Sequence, residues 1–86
     1  MSISDIANVI VNKIKEVKDK EINPDSFDCK FPDLEIDSID YVEIMLGIEE
    51  ELKVDLLSKE IEWSKISTIN ILSDLVNEEL KNKENN

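Results

Sequence analysis

The chain contains no histidine and no arginine, one cysteine, one glycine and two prolines. Without histidine, the Ser–His and Cys–His arrangements of nucleophilic catalysis cannot be built, and the commonest zinc ligand is missing. Cys29 alone gives no internal disulfide framework, and with no imidazole to activate it an idle or buried cysteine is the plainer reading. Apolar runs are too short to cross a bilayer, so membrane insertion is not expected. Met1-Ser2-Ile3-Ser4-Asp5 reads as a helix start and not as a signal peptide, so a cytoplasmic protein is expected. There is no internal repeat and no linker. These absences are awkward for an enzyme, and no catalytic or metal-binding residue is expected.

What is present is acid and apolar periodicity. Apolar residues make up 41% and charged residues 36% of 86 positions, which is too apolar for a disordered chain and right for one small domain over 1–86. The formal net charge is −11, and every basic residue is a lysine. Such a balance disfavours nucleic acid, which is bound through Lys and Arg on phosphates. It also disfavours anionic membranes. Partners with basic docking patches, found by electrostatic steering, are favoured. The alternative is that the charge only keeps a small protein soluble.

Ser2 or Ser4 can cap a first helix over about 4–20, in which Ile3, Ile6, Ile10, Ile14 and Val17 form a core stripe. From 21 to 36 the period breaks at the turn signals Asn23-Pro24-Asp25 and Phe31-Pro32-Asp33. A loop this long is functional or is pinned by its own side chains, here Ile22, Phe27, Phe31, Leu34 and Ile36. A second helix is expected over about 38–52, with Val42, Met45, Ile48 and Leu52 toward the core and Ile39, Ile44 and Leu46 partly exposed. Gly47 inside it costs about 1 kcal/mol relative to alanine; a close helix contact, space for a bound chain or simple tolerance would each account for it. A short helical turn over about 58–61 follows, with Trp63 and Ile66 as anchors. Ser67 or Thr68 then caps a last helix with Ile69, Leu72, Leu75, Val76 and Leu80 on one stripe, and a polar tail from about 81 is expected to be disordered. The expected architecture is all-α: a small four-helix bundle of three main helices and one short one.

The densest chemistry lies at Asp33-Leu34-Glu35-Ile36-Asp37-Ser38-Ile39-Asp40, continuing through Val42-Glu43 to Glu49-Glu50-Glu51-Leu52. Eight acidic residues and no lysine occupy 33–52. Asp37 can cap the second helix, with Asp40 in the reciprocal position of a capping box. The Ser38 hydroxyl then sits exposed in the first turn, where free N–H groups and the helix dipole favour a phosphate. A calcium loop is excluded, because Ser38 stands where that loop needs glycine and Ile44 where it needs glutamate.

The stretch Asp37-Ser38-Ile39-Asp40, with Val42-Glu43 and the triple glutamate after it, resembles the prosthetic-group site of acyl carrier proteins. The resemblance covers about 3–80, tightly over 34–52. It implies that Ser38 carries a covalent 4'-phosphopantetheine drawn from coenzyme A, with Asp37 helping to present the site. It implies a carrier and not an enzyme, holding acyl groups as thioesters for fatty acid, polyketide or related lipid biosynthesis. The implied partners are a phosphopantetheinyl transferase and acyl-loading and acyl-transferring enzymes. Their basic patches would meet Asp37, Asp40, Glu43, Glu49 and Glu50, with Ile39 and Leu46 as apolar contacts. A monomer is expected.

Glu35 stands where many acyl carrier proteins have glycine two residues before Asp-Ser. Trp63 is more like specialised carriers, including D-alanine and nodulation-type carriers. An aminoacyl or peptidyl (including D-alanyl) carrier is therefore the alternative within the class. A structural helical bundle that merely shares the cap pattern is the alternative outside it.

Overall fold

Ser2 opens the first helix: its hydroxyl accepts from the Asp5 N–H at 3.1 Å, and the Asp5 carboxylate accepts from the Ser2 N–H. That box starts α1, Ile3–Lys18, in a computed structural model that describes residues 2–56 and 66–84. α1 stops because Asp19 turns into the left-handed region (φ 52°) and returns its N–H to the Lys15 carbonyl. α2 spans Ser38–Leu52 and α3 spans Ile69–Glu84. Thr68 caps α3, its hydroxyl accepting from the Ile71 N–H at 3.2 Å. Among the described residues the structure is all-helical, with no strand. The expected short helix at 58–61 and the Trp63 anchor lie outside those residues. α3 continues to Glu84, so the chain is helical past 81, where a disordered tail was expected.

The core forms because each helix turns one apolar stripe inward. α1 contributes Ile6, Ile10 and Ile14, with Ala7 and Val9 beside them. α3 contributes Ile69, Leu72 and Val76, all fully buried. α1 packs against both α2 and α3. Each buried Ile, Leu or Val adds about 1.5–3 kcal/mol relative to exposure. Ile3, expected on the stripe, is about half exposed, because it lies before the helix has reached the core.

α2 turns a different face inward from the one expected. Tyr41, Ile44, Met45 and Ile48 are buried, while Val42 is 44% exposed. Val42 was expected inside and Ile44 partly outside. Met45 and Ile48 keep their expected places, and the face is shifted by less than half a residue step toward Tyr41, which packs edge-on against Phe31 with ring centroids 5.6 Å apart. Leu52 is half-buried, and Ile39 and Leu46 are exposed as expected.

The long loop is pinned by its own side chains. Ile22, Phe31, Leu34 and Ile36 are buried and Phe27 is half-buried. Two 3-10 turns, Pro24–Ser26 and Phe31–Leu34, absorb the prolines at their starts. Backbone bonds from Phe31 N–H to the Ser67 carbonyl and from Asn70 N–H to the Phe27 carbonyl tie the loop to the start of α3.

Candidate functional site

The segment leading into α2 alternates burial with exposure: Leu34 and Ile36 go into the core, while Glu35, Asp37 and Ser38 face out. Phe31 and Pro32 open a tight turn. Glu35 ends it in the left-handed region (φ 63°, ψ 28°), its N–H donating to the Phe31 and Pro32 carbonyls. This is the turn that glycine makes most easily, and here a glutamate makes it at some backbone strain. Lys20 holds the strand of chain in place, its ammonium donating to the Leu34 carbonyl at 2.9 Å and lying 3.8 Å from Glu35.

Asp37 is extended and caps α2, and Ser38 is its first helical residue. Asp37 Oδ1 accepts from the Asp40 N–H at 2.9 Å, and Asp40 Oδ2 accepts from the Asp37 N–H at 3.3 Å. The capping box read from the sequence is therefore formed. The N–H groups of Ser38 and Ile39, first in the helix, have no intrahelical acceptor, so the positive pole of α2 points toward the Ser38 hydroxyl. Pro32, Glu35, Ile36, Asp37 and Ser38 line an open depression of about 480 Å³. A large anionic substituent on Ser38 has room to lie there.

One cation enters this acidic corner from another helix. Lys18, in the last turn of α1, places its ammonium 2.9 Å from Asp40 Oδ2. The hydrogen bond from Lys18 holds the Asp40 carboxyl below the usual carboxylate range, with help from the Asp37 N–H and against burial. The same bond raises Lys18, and the charges of Asp37 and Glu35 add to it.

α2 thus has two flanks. On the outer flank Ile39 (70% exposed), Val42 and Leu46 form an apolar strip, with Glu43 and Glu50 exposed beside it. On the α1 flank Asp40 is tied to Lys18 and Glu51 to Lys13. Glu49 accepts from the Leu56 N–H at 2.7 Å and so anchors the chain that follows α2. Of the acids expected to meet partners, Asp37, Glu43 and Glu50 are presented outward, whereas Asp40 and Glu49 have internal work. Val42 joins the outer strip, and its place there was missed. The signal was the spacing 39, 42, 46, one side of a helix.

Gly47 faces Lys13. A Cβ at Gly47 would lie 2.9 Å from Lys13 Cδ, so the missing side chain lets the lysine stem cross α2 and reach Glu51 at 3.2 Å. Burial works against the Lys13 charge, but Glu51 and Glu16 outweigh it and raise its pKa. Cys29 is exposed and unbonded to another cysteine. Among the described residues, no helix is long and apolar enough to cross a membrane.

Two curated proteins from Brassica napus, each named a chloroplastic acyl carrier protein, match the chain. One is 37% identical over 51 residues, covering 59% of this chain and 37% of its own length. The other is 27% identical over 77 residues, covering 90% of this chain and 54% of its own length. This chain is similar to acyl carrier proteins. It spans about half or less of the length of these carrier relatives. No family model matches the chain, and no solved structure matches it.

Proposed function

We propose that the protein is an acyl carrier, bearing 4'-phosphopantetheine on the Ser38 hydroxyl through a phosphodiester. The observation that carries this reading is the exposed hydroxyl of Ser38 at the first position of α2, beside an open depression. A chain similar to acyl carrier proteins over 77 residues supports it. The residues present fit the group: an accessible nucleophilic oxygen, first-turn amides aimed outward, and unfilled space along Pro32 and Ile36. When bound, the arm supplies a terminal thiol on which an acyl group is held as a thioester.

In this reading the work of the chain's own residues is presentation. Asp37 fixes the start of α2 and so the direction of the Ser38 Oγ. The pole of α2 favours the phosphate's negative charge. Ile39, Val42 and Leu46, flanked by Glu43 and Glu50, offer an apolar strip with acid on its edges to a phosphopantetheinyl transferase and to acyl-loading and acyl-transferring enzymes. Exposed ion pairs contribute only about 0.2–1 kcal/mol each and weaken with salt. Several together give quick, reversible docking, which suits a shuttle in lipid biosynthesis that must leave each partner. We place the protein in the cytoplasm as a monomer.

The test is incubation of the purified protein with a fluorescent coenzyme A analogue and a broad-specificity transferase. Label should enter the wild type once and be absent from Ser38→Ala. Equal labelling of both proteins would remove Ser38 from the reading.

A further inference from the structure

We propose that Lys18 is a positioning residue for the Ser38 site, holding through Asp40 the junction that presents the hydroxyl. The inference rests on the carrier reading for its functional consequence, and on the capping geometry alone for its structural one.

Lys18 and Asp40 belong to different helices, the last turn of α1 and the first turn of α2. The ammonium contacts Asp40 Oδ2 at 2.9 Å, and that same oxygen accepts the Asp37 N–H at 3.3 Å. Asp37 in turn holds the Asp40 N–H. Lys18, Asp40 and Asp37 therefore form one connected chain that brackets Ser38, from the residue before it to the residue two after it. The pair is largely shielded, with 30% of the Lys18 and 16% of the Asp40 side chain exposed. A cation here also answers a problem of charge. Glu35, Asp37 and Asp40 all lie within three residues of Ser38 in the chain, and their negative charge repels an incoming phosphate. Lys18 feels the charges of all three. Lys20 cannot replace it, because it is held at the Leu34 carbonyl.

Removing the ammonium leaves Asp40 facing Asp37 with nothing to balance it. The Asp40 carboxylate can swing away, the Asp37 N–H loses its acceptor, and the start of α2 frays. The outer strip on the opposite flank of α2 is untouched, so docking should persist while reaction at Ser38 slows.

The experiment compares Lys18→Met, Lys18→Arg, Asp40→Asn and the Lys18→Met/Asp40→Asn double variant. Loading is followed with a phosphopantetheinyl transferase and coenzyme A, and amide exchange is followed by NMR on the unloaded protein. Lys18→Met should lower kcat for loading about two- to fivefold, the range of one charged contact, with KM for the carrier little changed. Lys18→Arg should restore most of the loss. In the Asp40→Asn background, Lys18→Met should have no further effect, since Lys18 acts through Asp40. Exchange of the Asp37 amide should rise by a similar factor in Lys18→Met. A full Lys18→Met effect in the Asp40→Asn background would overturn the proposal, as would a change confined to KM or an unchanged Asp37 amide. If no transferase loads the wild type, the carrier reading fails, and the amide exchange alone decides whether Lys18 holds the junction.

Discussion

Alanine at Gly47 isolates one contact between α1 and α2, and its effect can be worked from two opposing quantities. In the middle of α2, alanine is favoured over glycine by about 1 kcal/mol, from backbone entropy alone. Against this, the new Cβ would lie 2.9 Å from Lys13 Cδ and 3.5 Å from both Cγ and Cε. The lysine stem must therefore move off the helix. It gives up some buried methylene contact, at about 0.8 kcal/mol for each full CH₂. It also loosens the bridge to Glu51, about 0.2–1 kcal/mol for an exposed pair. The terms nearly cancel, and Gly47→Ala in the wild type should change stability by less than about 0.5 kcal/mol. In a Lys13→Ala background the clash is gone and the helix gain should appear in full, about 1 kcal/mol, or a Tm rise of roughly 4–8 °C. Urea unfolding followed by far-UV circular dichroism on all four proteins measures the coupling, expected near 1 kcal/mol. A coupling below about 0.3 kcal/mol would refute the idea that the glycine makes room for Lys13. Marked destabilisation in both backgrounds would mean that something other than Lys13 needs the space.

Burial pushes the Tyr41 phenol from 10.0 up to about 12. The fold thus favours the neutral form, and this contribution is intact below pH 10 and is lost as pH rises from 10 to 12, up to about 2–3 kcal/mol. Lys13 and Lys18, both raised, also lose their contributions on this alkaline side, above about 10.5. The diagnostic is therefore the difference from Tyr41→Phe, whose stability should fall less steeply above pH 10; superimposable alkaline limbs would count against it. For docking, Glu43→Lys with Glu50→Lys should raise the KM of the transferase for the carrier severalfold at low salt while leaving the Tm within a few degrees. Unchanged loading would take the outer flank of α2 out of partner recognition.

Local chemistry was legible in the sequence where neighbours in the chain do the work. The start of α2 at Asp37-Ser38 is set by a capping box within four residues, and the stripes of α1 and α3 have few apolar competitors. The inward face of α2 was not legible. Ile39, Tyr41, Val42, Ile44, Met45, Leu46 and Ile48 place apolar groups around most of that helix, so two faces were nearly equivalent by pattern. The choice is made by Phe31, a loop residue that meets the Tyr41 ring. The internal duties of Asp40 and Glu49 were hidden for the same reason: Lys18 and the Leu56 N–H come from outside the helix. The sequence left the role of Gly47 open between a close contact, spare room and simple tolerance, and the Lys13 stem against it favours contact. Glu35 shows the converse: it stands where many acyl carrier proteins have glycine, and the left-handed turn that glycine favours is made there by a glutamate.

The most direct measurement is an intact mass of the protein after co-expression with a phosphopantetheinyl transferase, with Ser38→Ala prepared in parallel. The expected result is a gain of one phosphopantetheine in the wild type, mapped by fragmentation to Ser38, and no gain in the variant. An unmodified wild type with each of several transferases, or a gain that survives Ser38→Ala, would contradict the carrier reading of this site.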